Sequence, residues 1–406
     1  MDVNVTHKHQ STVWLLVVVA IVGLNLRPFM TGIGPLAESL REATGLSQQG
    51  LSMLTLIPMA LMGVVAFAGP ALQGKLGARL LVLLALLVIA IGAILRWVTS
   101  SGGVLLLTAA IMGFGVAIIQ AVFPGIIKRQ FMQRSSVVMG LYSAMMMGGG
   151  ALGAQLSPWV AQATGSWQIG LAWLVVPALL ALLLAMKLLP MDPPRSAGRR
   201  VSIKPLLRRR RTWLLMLCFG LVNGGYSSAV AWLAPAYQSL GWSAAYSGSL
   251  LAVMAIAQAV AALVLPAIAC RKPDFRPWLW FTLGLQLVGF AGLAFWPAAA
   301  PLLWAIVVGA GLGGCFSLTM VVALEHLKDP AQAGALAALM QGGGFLLAAV
   351  APWIVATLYD ATESYMAGWM WHVGCVTVVS VLVWQFAPKG YAQAMGVSAS
   401  ANKPAQ

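Results

Sequence analysis

The chain has 406 residues, of which 60% are hydrophobic and only 8% charged, with a formal charge of +15. A soluble domain carries about 25% charged residues, so this composition excludes an ordinary soluble enzyme or binding module and indicates an integral membrane protein. The excess positive charge lies in short polar stretches between apolar runs, where it reports topology and not a nucleic-acid partner.

The polar start 1-MDVNVTHKHQST-12 leads into an apolar segment with no small-residue cleavage site, so the first span is expected to remain as an anchor. Crossing a bilayer takes about 20 apolar residues. Twelve such runs follow, near 13–37, 49–72, 79–98, 103–127, 136–160, 167–189, 212–237, 244–269, 276–296, 301–324, 333–358 and 366–387. Between the sixth and seventh, the stretch from Lys187 to Arg211 is densely basic and holds one acid, Asp192. The expected organisation is therefore an all-α membrane protein. It has an N-terminal tail at 1–12, a six-helix bundle at 13–189, a basic linker at 190–211, a second bundle at 212–387 and a tail at 388–406.

The positive-inside rule orients it with both ends and the linker in the cytoplasm. Lys75, Arg79, Lys128, Arg129, Arg134, Arg271, Lys272, Arg276, Lys328 and Lys389 then face in, and the outer side keeps only Arg41 and Arg96.

In chain order, the first run contains 24-LNLRPFMTGIGPL-36, with Arg27 near its middle. A charge at that depth is costly and marks a functional site by default. Arginine keeps its charge and offers a flat fork of donors suited to small planar anions. Pro28, Gly32 and Pro35 are expected to bend this helix and so to form a gate, because proline removes a backbone donor and glycine admits close approach. The fourth and fifth runs place Gln120 and Tyr142 nearer the cytoplasmic end. In the linker, 201-VSIKPLLRRRRTW-213 reads as a solvated loop that fixes topology, or as a segment lying on the anionic leaflet.

The seventh run carries Asn223 and Tyr226 near its middle, and Gln258 and Gln341 sit at depth in the eighth and eleventh. An amide or phenol there needs a partner, which is either a neighbouring helix or a polar cavity. Glu325 and His326, at the end of the tenth run, read as an interface pair or as a titrating one. All nine acids lie outside the deep membrane, so the usual intramembrane proton carrier is missing. Four cysteines without a C-x-x-C pair support neither a disulfide framework nor a metal site, and no cofactor is expected.

An internal repeat links the halves. The fifth run reads 148-GGGALGAQLSPW-159 and the eleventh 342-GGGFLLAAVAPW-353, at an offset of 194 residues. Parallel repeats of this kind are the arrangement of transporters with a central site, and the glycines allow close helix contact.

With its basic central loop, the six-plus-six layout resembles the major facilitator superfamily. Within it, the first-span stretch quoted above, 117-AIIQAVFPGIIKRQF-131, 220-GLVNGGYSSAVAWLAPAY-237, 244-AAYSGSLLAVMAIAQAVAALVLPA-267 and 340-MQGGGFLLAAVAPW-353 resemble the cyanate and 2-nitroimidazole permease family. The resemblance implies a bacterial inner-membrane permease, its small substrate held at a central cavity lined by the first helix of each half. Arg27 is then the counter-charge of a small planar anion such as cyanate, and the protein is expected to act as a monomer. One departure stands out: the superfamily's loop acid between spans two and three is replaced by Gln73 in 69-GPALQGKLGAR-79, which puts its salt-bridge latch in doubt. The competing readings are export of a drug-like aromatic such as a nitroimidazole, and a channel. An enzyme is disfavoured by the lack of a nucleophile with a base, or a carboxylate pair, at membrane depth.

Overall fold

The structure is a computed structural model and describes residues 3–131, 134–192, 203–269 and 271–396. The linker arginines Arg195, Arg199 and Arg200, Cys270 and the tail beyond 396 lie outside these residues. The described chain is helical throughout, with no strand. Twelve segments are long and apolar enough to cross a membrane: Val13–Thr44, Gln48–Gly69, Ala78–Val98, Gly102–Phe131, Val137–Thr164, Trp167–Leu188, Arg210–Gln238, Ala244–Ala269, Arg276–Phe295, Pro301–Glu325, Gln332–Thr362 and Met366–Gln385. They coincide closely with the twelve apolar runs, because continuous hydrophobicity is the one signal a bilayer demands.

Local chemistry sets the turns between them. Gly45 and Gly165 end helices in the left-handed conformation, with φ of +68° and +67°. Ser47 and Ser166 then start the next helices by accepting hydrogen bonds from the backbone N–H groups of Gly50 and Ile169.

Each span divides its apolar residues between two surfaces. In the third, Leu80, Leu84, Leu87, Ile91 and Ile94 are exposed at a spacing of three and four, while Val82, Ala85, Leu86, Ile89 and Ala93 are buried on the opposite face. Both stripes are hydrophobic, since one meets lipid and the other meets protein.

The repeat is visible as matched packing. In the first half, the glycine run of the fifth span lies against the first. Gly149 meets the Leu24 backbone, and a Cβ on Gly153 would come within 2.5 Å of Pro28 Cα. In the second half, Gly344 of the eleventh span meets Phe219 and Gly220 of the seventh. A side-chain hydroxyl seals each contact. Thr31 Oγ1 donates to the Gly150 carbonyl at 2.7 Å, and Ser227 Oγ donates to the Ala348 carbonyl at 2.7 Å.

At the basic end of the bundle, the acid missing at Gln73 is supplied from elsewhere. Asp192 follows the sixth span and accepts from Arg129 Nη2 at 3.1 Å and from the Arg79 backbone N–H at 2.9 Å. Arg79 also donates to the Met186 carbonyl. The loop between spans two and three is thus tied to the ends of the fourth and sixth. Gly77 permits this, with φ of +84° and Asp192 Oδ2 only 2.6 Å from where a Cβ would stand.

Glu325 and His326 do not face each other's environment. Glu325 is exposed, whereas His326 is buried, stacked on Tyr391 at 4.0 Å, with Nδ1 2.6 Å from the Val322 carbonyl. Burial pushes the His326 imidazole down to about 4, so it is neutral at physiological pH.

Candidate functional site

The first span is interrupted where the sequence places its charge. One helix, Val3–Leu24, stops three residues before Arg27, and a single turn, Pro28–Thr31, follows before the 3-10 turn Gly34–Leu36 and the helix Ala37–Thr44. Pro28 causes the break. It has no N–H to bond back to Leu24, and it disfavours helical geometry in the residue before it. The orphaned groups find other partners. Asn25 Nδ2 donates to the carbonyls of Ile21 at 2.7 Å and Pro177 at 3.1 Å, which fastens the break to the sixth span.

Arg27 heads the short turn and is only 3% exposed. Its guanidinium carbon lies 4.6 Å from the centre of the Tyr226 ring, which comes from the seventh span, in the other half of the chain. Nε and Nη1 of Arg27 are buried with no hydrogen-bond partner among the described residues. A desolvated cation–π contact stabilises by about 2 kcal/mol, while removing an ion from water costs several kcal/mol even after relaxation. The ring therefore offsets only part of the burial, and the site retains unused capacity for an anionic acceptor.

The other expected site residues fall into two groups. Tyr142 of the fifth span packs against Gly23 of the first, and its hydroxyl is buried without a partner. Its ring lies tilted against that of Phe123, with centroids 5.5 Å apart. Nearby on the same two helices, Gln120 Nε2 donates to Met146 Sδ at 3.8 Å. Asn223, Gln258 and Gln341 are placed differently. The Asn223 amide donates to the Phe219 carbonyl one turn back, at 2.8 Å. Gln258 is buried with Oε1 unpartnered, on a stretch whose backbone packs against Gly313 of the tenth span. Gln341 is half-buried, next to Gly342, which touches Phe67 of the second span. Among the gate candidates, Pro28 and Gly32 pack on Gly153 and Ser157 of the fifth span, and the Pro35 carbonyl accepts from Gln238 of the seventh at 2.9 Å.

One charge of the outer side is not solvated. Arg96, in the last turn of the third span, is completely buried. Nη1 donates to the Phe29 carbonyl at 2.9 Å, Nε donates to Thr108 Oγ1 at 3.2 Å, and the guanidinium lies 5.9 Å from the Phe29 ring. Arg27 is thus not the only buried arginine. Arg96 falls one turn beyond Ala93 and two beyond Ile89 on the buried stripe of the third span, but that stripe is indistinguishable from the lipid-facing one when both are apolar.

Two six-span halves related by an internal repeat are the arrangement of transporters that hold a site between their halves. The Major Facilitator Superfamily model matches residues 13–352. The chain belongs to the major facilitator superfamily. It is 43% identical to the cyanate transport protein of Escherichia coli, over 93% of this chain and 98% of that one. It is 27% identical to the 2-nitroimidazole transporter of the same organism, over 88% of this chain and 91% of that one. The crystal structure of a D-xylose-proton symporter superimposes with a TM-score of 0.76 at 17% identity, covering 93% of this chain and 98% of that one. A bacterial homologue of the lysosomal transporter Spinster, described as inward-facing and unoccupied, gives 0.73 at 16% identity, covering 95% and 97%. These last two show a shared fold. This facilitator is a multi-pass membrane transporter, and the resemblance to the cyanate and 2-nitroimidazole permease family holds over nearly its whole length.

Proposed function

We propose that this protein is a secondary transporter that carries a small planar anion such as cyanate across a bacterial inner membrane by alternating access. Arg27 serves as the substrate's counter-charge. The observation that carries this reading is the buried Arg27 guanidinium, which has two unpartnered nitrogens and an aromatic face opposite it, but no acid among its described partners. The identity of 43% to a cyanate transport protein agrees with it. The bundles at 13–189 and 212–387 rock about the site as a monomer, with the linker and both termini in the cytoplasm. Pro28, Gly32 and Pro35 form the hinge that lets the Arg27 segment move. Tyr226 and Tyr142 border the anion, and Asn223, Gln120, Gln258 and Gln341 supply polar lining as the cavity opens.

In this state the two halves are joined at the end with few charges. Gln49 donates to Asp360, Ser249 Oγ donates to Gln155 Oε1 at 2.8 Å, and Gln238 donates to Pro35. With that end outside, the carrier is closed toward the exterior.

The test is uptake of labelled cyanate by vesicles containing the wild type, Arg27→Lys or Arg27→Gln at equal membrane abundance. Saturable uptake lost in both variants is the expected result, because lysine keeps the charge but not the planar fork. Undiminished uptake by Arg27→Gln would move a neutral, nitroimidazole-like cargo to the front.

A further inference from the structure

We propose that this transporter is an obligate anion exchanger: its binding site passes between the two faces of the membrane only with an anion on Arg27, so each anion taken in is matched by one released. The proposal rests on the reading of Arg27 as the substrate's counter-charge and adds what that charge dictates for the return step.

The charge inventory carries the argument. The acids of the chain are Asp2, Glu38, Glu42, Asp192, Asp274, Glu325, Asp329, Asp360 and Glu363. None lies in the middle of a span, so no carboxylate can fold over Arg27 once the anion has left, and none can bring in a proton there. The two described histidines within or beside the spans contact other groups. His326 packs against Tyr391 at the basic end, and His372 of the twelfth span stacks on Phe290 at 5.1 Å, its two ring nitrogens buried without a hydrogen-bond partner, while the Phe290 ring packs on Gly225 of the seventh span. Among the described residues, it is the face of Tyr226 that lies against the Arg27 guanidinium.

Reorientation carries Arg27 through a state enclosed on both sides. With a monoanion bound, the enclosed pair is neutral and its donors are satisfied. Without one, a bare guanidinium is enclosed, two of its nitrogens find no acceptor, and the aromatic face replaces only a fraction of the lost hydration. The barrier for the empty carrier is therefore the higher one, and the return trip waits for another anion. Exchange of one monoanion for another moves no net charge, so its rate is indifferent to membrane potential. The counter-substrate belongs to the same chemical class, a small planar monoanion able to reach the same donors.

The experiment uses the full chain in sealed proteoliposomes, with protein-free vesicles as the leak control. Initial uptake of labelled cyanate is compared between vesicles filled with unlabelled cyanate and vesicles filled with gluconate, an anion too bulky for the site. Potassium and valinomycin first clamp the potential at zero and then impose it in either direction. The expected result is uptake faster by at least about tenfold with internal cyanate, unchanged by the imposed potential. Internal formate, a second small planar monoanion, should restore part of that rate. Equal rates into cyanate-filled and gluconate-filled vesicles, or uptake that follows the potential, would overturn the exchange mechanism while leaving cyanate as the substrate. Protein-dependent uptake of cyanate under no condition would overturn the substrate reading, and the exchange proposal with it.

Discussion

Arg27 and Arg96 are both buried, yet their partners give them different work. Arg27 has an aromatic face and two buried nitrogens without a partner, which suits the proposed counter-charge. Arg96 gives Nη1 and Nε to protein and leaves only Nη2 without a partner, holding the Phe29 carbonyl that the single turn after Pro28 leaves outside the helical ladder. It thereby braces the segment that begins with Arg27. In Arg96→Met the side-chain volume is nearly kept, but Phe29 and Thr108 lose their donor. An unsatisfied buried group costs about 1–3 kcal/mol, so the variant is expected to unfold at a lower temperature in detergent and to show a raised KM for transport with a smaller change in maximal rate. Arg96→Lys, which can still reach one acceptor, should recover most of both. Equal stability and KM in Arg96→Met and the wild type would remove the bracing role.

At the scale of helices, the glycine runs show how unlike neighbouring positions can be. Nothing stands within 4 Å of a Cβ added at Gly148, whereas at Gly149 the same atom would collide with the Leu24 carbonyl. Gly148→Ala is therefore expected to be neutral or mildly stabilising, since alanine is favoured over glycine inside a helix by up to about 1 kcal/mol. Gly149→Ala forces the first and fifth spans apart, and overpacking of this kind costs about 1–3 kcal/mol. The contrast is measured as folded, monodisperse protein recovered from membranes. Comparable yields of the two variants would show that the helices can separate freely. From the letters 148-GGG-150 alone the distinction is invisible, because it depends on which side of the fifth span meets the broken first helix.

For the molecule as a whole, alternating access requires the contacts at the weakly charged end to part. Gln155 and Ser249 meet there across the two halves. In a background with the four native cysteines replaced, a Gln155→Cys and Ser249→Cys pair joined by a short thiol cross-linker should lose transport, and regain it on reduction. Full transport with the cross-link in place would mean that this seam does not open. The same view explains what Asp192 contributes. By joining the loop after the second span to Arg129 and Arg79, it ties the second, third, fourth and sixth spans together at the basic end.

The sequence by itself determined the membrane class, the twelve spans, the repeat of the two halves and the family, together with the position of Arg27. Each of these rests on a signal that a bilayer makes local: a long apolar run, a charge inside it, a cluster of basic residues at a loop. Only the tertiary structure decided that Tyr226 covers Arg27, that Asn223 turns back on its own helix, that Arg96 points inward and that Asp192 replaces the missing loop acid. The physical reason is common to all four. In a membrane protein the lipid-facing and protein-facing sides of a helix are both apolar, so hydrophobic periodicity does not report which way a polar side chain points. That direction is set by the neighbouring helix, through close glycine contacts and the few hydrogen bonds that a dry interior makes compulsory.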